Sequence, residues 1–314
     1  MTRALHAVVA WGILCLPVAA QTTETVTSEA QRAQDEQLSR RFVQSLLQPS
    51  LSLDGQFAKW TKKPLCVHVS GLAPVPAHAV EQRIREVAQK VGAPVDRKDP
   101  CTANALIFVT ADPLGTLDAL EQKDVLRFVS GTRKDMKVRY PVQSWYTNYF
   151  IDSDGQPHFD IPWVDASYGG IGVWADTPAG SDGLAAQPKN DDMAQFIKSN
   201  DSRLRHGIQP QMGNITIIVD ATAIAGMTLN SLSDYLALMT LSQSPARTRC
   251  QPAPSIANLF LKDCDAALHV TGLSNPDLAM LSALYETPLE PENLQMMRII
   301  GTMRRNLEAP AVRN

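Results

Sequence analysis

Apolar and polar positions alternate along this chain in a way that changes period several times. Leu65, Val67 and Val69 alternate with Cys66 and His68 and predict a short strand over 65–69, with Gly71 just beyond it. Val80, Ile84, Val87, Ala88 and Val91 then recur at helical spacing and predict an amphipathic helix that Gly92 and Pro94 stop. A short apolar run over 105–110 predicts a second strand, and residues 114–129 a second helix. Two strands flanking a helix make an N-terminal α/β unit. Residues 145–151 followed by D-S-D-G predict a hairpin arm with Gly155 in its turn. Residues 170–174 are again strand-like and lead into a Gly/Pro/Asp-rich stretch, whose portion 177–192 reads as a flap-like surface loop. The run 215–219 is a further strand. Beyond it, Leu229, Leu232, Leu236 and Met239 form a helical stripe that Tyr235, Leu238 and Leu241 widen, so this helix is expected to be central and buried. The fold class read from the pattern is α+β: an N-terminal α/β unit packed with a mixed sheet and a helical C-terminal part.

The ends read differently. Residues 1–20 have the form of a cleaved secretory signal: Arg3, an apolar run over 7–16 too short to span a bilayer, then Val18-Ala19-Ala20 at the cleavage site. Cys15 raises the alternative of a lipid-modified cysteine, which the bulky Leu14 before it disfavours. Residues 21–55 are expected to form a polar helix or arm whose Phe42, Val43, Leu46 and Leu47 dock. A single α+β domain over 56–310 and a frayed tail over 311–314 complete the organisation.

Export changes the reading of the cysteines. Of five in the chain, four lie beyond the signal: Cys66, Cys101, Cys250 and Cys264. An even number in an oxidising compartment predicts disulfides. Four cysteines allow three connectivities, and the spacing favours two local bridges, Cys66–Cys101 and Cys250–Cys264. In the chain-entropy picture, each contributes about 3–4 kcal/mol. The formal charge of −3 disfavours non-specific nucleic-acid binding, and no later apolar run is long enough to cross a membrane. The expected location is therefore periplasmic or secreted.

Candidate chemistry is sparse. The chain has no G-x-S-x-G elbow, no phosphate-binding loop and no G-x-G-x-x-G. His68, His78, His158, His206 and His269 are scattered singly, and only His158 and His206 flank the flap. No C-x-x-C pair or histidine cluster suggests a metal, and Asp152 and Asp154 lack the terminal acid of a calcium loop. No cofactor or metal is expected. Asp234 stands out on an apolar helix, where an acid is expected to pair with an arginine such as Arg203. Tyr235 is expected to pack its ring and donate its hydroxyl to a carbonyl.

Ser255-Ile256, Leu259-Phe260, Asp277 and the run Leu281 to Tyr285, in that order, resemble the C-terminal pattern of exported proteobacterial proteins that carry the domain of unknown function 2927. In that family the helix before this pattern carries E-E-x-x-Q, similar to the H-E-x-x-H helix of zinc peptidases. The resemblance implies a zincin-like fold with this helix under a sheet edge. It places Asp234 and Leu238 in the two ligand slots and Tyr235 in that of the catalytic glutamate. Leucine cannot ligate and tyrosine is a poor base at neutral pH, so the resemblance implies a metal-free scaffold without catalytic residues.

Two functions follow as expectations. One is a non-catalytic exported scaffold, a pseudo-peptidase, that binds an envelope protein or peptide in a groove around Asp234, Tyr235, Arg203, Asp220 and His206. The other is a hydrolase of an envelope polymer or peptide, using Asp234, Asp220 or His206 as acid and base.

Overall fold

The structure, a computed structural model, describes residues 19–47, 49, 56–123, 140–151, 157–159, 209–244, 249–289 and 292–308. The expected signal up to residue 18, the turn at Gly155, the strand 170–174, the flap 177–192, Arg203, His206 and the tail lie outside the described residues. The chain divides into two compact units, 1–37 and 38–314. In the first, residues from 19 onward are helical and belong to α1 (Ala19–Leu46). The second unit begins within α1, and its Phe42, Val43, Leu46 and Leu47 are core residues. These are the four positions whose apolar character marks the docking turns.

Within the second unit the chain runs β1 (Val67–Ser70), α2 (Pro74–Lys90), β2 (Ala105–Thr110), α3 (Pro113–Gln122), β3 (Val142–Ile151), β4 (Pro157–Phe159), β5 (Gln209–Asp220), α4 (Leu229–Leu241), α5 (Asn275–Glu286) and α6 (Glu292–Glu308). Among the described residues, five strands form one mixed sheet in the order β1-β2-β5-β3-β4. β1, β2 and β5 are parallel, whereas β3 runs antiparallel to both β5 and β4. The α+β class and the hairpin arm are both present. β5 is longer than the apolar run 215–219 indicates, because Gln209 to Asn214 continue the pairing with β3 through a bulge at Thr147/Asn148. No apolar periodicity marks that extension.

Alternation assigns the two faces of the sheet. Ala105, Ile107 and Val109 of β2 and Ile215, Ile217 and Val219 of β5 face the main core. Ile218 and Phe108 point the other way and pack with Trp145 against Leu117 and Leu120 of α3. The main core is covered by α2 and α4, which pack on each other, and by the α5–α6 pair. Ala77, Val80, Ile84, Val87 and Ala88 form the buried stripe of α2. Every residue from Ser231 to Leu241 of α4 is buried, which is why its apolar residues run around the whole helix.

Gly71 turns the chain from β1 into α2 with φ +89°. A Cβ there would lie 1.8 Å from the Val109 carbonyl oxygen of the neighbouring strand, so only glycine fits. Disulfides join Cys66 to Cys101 and Cys250 to Cys264, the local pairing that the spacing favours. Among the described residues, no helix is long and apolar enough to cross a membrane.

Candidate functional site

Asp234 lies in the middle of α4, and its carboxylate is nearly fully enclosed. Arg83 of α2 approaches it side-on, with Nε donating to Oδ1 at 2.6 Å and Nη2 to Oδ2 at 3.3 Å. The peptide N–H of Leu273 donates to Oδ2 at 2.9 Å. The carboxylate raises the Arg83 pKa further, mainly through the hydrogen bond. The expected arginine pairing is present and is made by Arg83; Arg203 lies outside the described residues. Gly272 eases the close approach of the segment carrying Leu273, since a Cβ at Gly272 would come within 3.1 Å of Asp234 Oδ2.

The neighbouring slots on the helix are taken by packing. The Tyr235 ring meets Phe260 edge-on, with centroids 4.8 Å apart. Leu238 is fully buried. Asp220 stands at the C-terminal end of β5, where the Thr222 hydroxyl and peptide N–H hold its carboxyl below the usual range. Its bonds are local, to Thr222. His158 lies on β4, and its side chain is not described. Among the described residues, no group of three His, Cys, Asp or Glu side chains is placed to hold a metal ion.

The ordered C-terminal pattern converges on a second buried acid. Asp277 accepts from Ser255 Oγ at 2.5 Å, Ile256 N–H at 2.9 Å, Ser274 N–H at 3.0 Å and Ser274 Oγ at 2.9 Å. With Ser274 it forms the capping box of α5. Burial raises its pKa, and the four donors oppose that rise. Leu281 and Leu284 are fully buried, and the Tyr285 hydroxyl donates to the Leu241 carbonyl at the end of α4. The spacing of these residues is thus the spacing of one structural node.

Sequence reasoning missed Lys59. It is buried, and its ammonium donates to the carbonyls of Leu284 at 3.0 Å, Tyr285 at 3.2 Å and Thr287, closing the C-terminus of α5. Burial lowers its pKa to about 8. Arg83 was also missed, although its place beside Val80 and Ile84 on an amphipathic helix marks it as a residue at the edge of a buried stripe.

An open cleft of about 580 Å³ lies against this region, lined by Leu259 and the segment 269–274. Three side chains fix the inner side of that segment. Ser231 Oγ donates to the Thr271 carbonyl at 2.7 Å, Asp234 takes the Leu273 N–H, and Asp277 takes the Ser274 N–H. The sheet edge at and just before β1 is partly engaged. Leu65 exchanges backbone bonds with Pro94 and Asp96, and the Val69 N–H donates to Glu81 Oε1 at 2.8 Å.

No family model, curated protein or solved structure matches the chain.

Proposed function

We propose that this chain is an exported, non-catalytic protein with a peptidase-like scaffold, and that it binds a protein or peptide of the cell envelope. The zincin-like reading is supported by a strand, β5, that leads into a buried helix, α4, which shares the main core with the sheet and accepts the Tyr146 hydroxyl of β3 on its Met239 carbonyl. Two disulfides support export to an oxidising compartment. One observation carries the non-catalytic part. Asp234, which stands in a ligand slot of the peptidase helix, has both carboxylate oxygens engaged by Arg83 and one of them also by the Leu273 N–H. The other ligand slot is a leucine in the core. A general base or metal ligand needs a carboxylate that faces a reacting group or ion, and this one faces its own scaffold.

The test is to incubate the purified protein with a pool of peptides from an envelope protein digest and follow it by mass spectrometry. The reading predicts retention of intact peptides and no new termini over time. New termini that accumulate with wild type and not with Asp234→Asn would replace it with the hydrolase reading.

A further inference from the structure

We infer that Lys62, Lys63, Lys90, Arg97 and Lys98, at the amino edge of the parallel strands, form a docking surface for an anionic phospholipid bilayer. These residues lie on three turns that meet at the entrance of β1. Lys62 and Lys63 precede the strand, Lys90 ends α2, and Arg97 and Lys98 follow Val95, which bridges to Leu65. The Leu65 N–H donates to the Pro94 carbonyl at 2.8 Å, and the Asp96 N–H to the Leu65 carbonyl at 2.9 Å. The Cys66–Cys101 bridge closes the loop behind them. The turns are therefore held beside one another before any partner arrives.

All five residues are exposed. Among the described residues none of them is in an ion pair, and the one side-chain hydrogen bond is from Lys63 Nζ to Asn214 Oδ1 at 3.1 Å. The chain carries 32 acidic against 29 basic residues, so acids to neutralise them are plentiful. Yet residues 61–64 and 89–99 hold only Asp96 and Asp99 beside the five cations. Asp96 turns its carboxylate onto the Lys98 peptide N–H at 3.0 Å. Charge of one sign concentrated in this way repels itself, and an anionic partner relieves that repulsion.

The chemistry of the patch selects a bilayer among anionic partners. The cations stand on exposed turns outside the cleft lined by 269–274, so they present a face and no enclosure for a small phosphate compound. Four of the five are lysines, point charges on flexible stems that can follow a fluid array of phosphates. Fixed carboxylates on a protein favour the arginine fork instead. No aromatic residue lies within 61–64 or 89–99 to stack a nucleic-acid base. A long soluble polyanion meets the whole chain, with its charge of −3. A planar surface meets only the edge that faces it, because charges are screened beyond about 8 Å at physiological ionic strength. Asp220 and Asp112 stand at the opposite, carboxyl ends of β5 and β2, so one orientation keeps them away from the phosphates. The surface shares no residue with the Asp234 site and stands independently of the peptide-binding reading.

The probe is sedimentation of the purified exported protein with sucrose-loaded vesicles, made of phosphatidylcholine alone or with one-third phosphatidylglycerol. Lys90→Glu combined with Lys98→Glu reverses two charges of the patch. Arg249→Glu combined with Lys262→Glu makes the same change of net charge at exposed positions of the Cys250–Cys264 region and serves as control. The inference predicts binding to the anionic vesicles only, lost as salt is raised. It predicts that the patch variant binds about tenfold more weakly or worse, while the control stays within about twofold of wild type. Equal binding of wild type to both vesicle types, or none to either at low salt, would overturn it, and neither result depends on how a variant folds. Equal losses in the patch and control variants would overturn it as well. Retention on immobilised polyglutamate without sedimentation on vesicles would replace the bilayer with an acidic protein partner.

Discussion

Arg83 on α2 and Asp234 on α4, 151 residues apart, meet with Nε 2.6 Å from Oδ1. This contact ties the helix of the N-terminal α/β unit to the central helix. Asp234 is 7% exposed and Arg83 43%, so the pair spans the boundary between core and solvent. Removing the arginine leaves a buried carboxylate with one peptide N–H, which is the costly direction. Arg83→Met should therefore destabilise more than Asp234→Asn, which keeps an acceptor. Allowing for the arginine's exposure, Asp234→Asn is expected to cost about 1–2 kcal/mol. A double-mutant cycle by urea unfolding should give a favourable coupling; zero coupling would mean that the contact carries no stability.

Leu236 is fully buried at the centre of α4. Leu236→Ala should cost about 2–5 kcal/mol, the range for cavities in a packed core. Urea unfolding at unchanged m-value checks it.

Lys59 sets a pH dependence. Its pKa falls from 10.5 to about 8 on folding, so between these values the unfolded chain binds a proton that the native protein does not. Stability must then rise with pH across that window, by up to about 3 kcal/mol from this residue. Lys59→Met, measured in parallel by thermal unfolding from pH 7.5 to 10.5, should lack the rise. A Lys59→Met variant with the wild-type slope would assign the effect to other groups.

The two disulfides close loops with separations of 35 and 14 residues. Non-reducing peptide mapping of exported protein should recover Cys66–Cys101 and Cys250–Cys264. Replacing Cys66 and Cys101 together by serine should lower stability by about 3–4 kcal/mol.

The elements were legible where one period dominates. The stripe of α2, the run of β2 and the all-round apolar character of α4 each record burial locally. The cysteine spacing likewise points to the observed pairing. Contacts made across the fold leave no such trace. Asp234 shows by its setting that it needs a cation, but nothing near it in sequence selects Arg83, which arrives from another helix. Lys59 looks like one of several surface lysines until α5 places three carbonyls around it. The pattern shared by Ser255, Ile256 and Asp277 was visible as an ordered set, and only their convergence explains it. Segment 269–274 has neither helical nor strand periodicity, because its conformation is imposed by Ser231, Asp234 and Asp277 from outside.

The central claim is that the α4 acid holds the scaffold together and takes no part in zinc chemistry. The most direct test measures the thermal midpoint of purified exported protein with and without chelator, alongside elemental zinc analysis and peptide hydrolysis. The account predicts no stoichiometric zinc, an unchanged midpoint and intact peptides, because no metal-binding free energy is linked to folding. Equimolar zinc whose removal lowers the midpoint, together with a peptidase activity restored by adding zinc back, would contradict it.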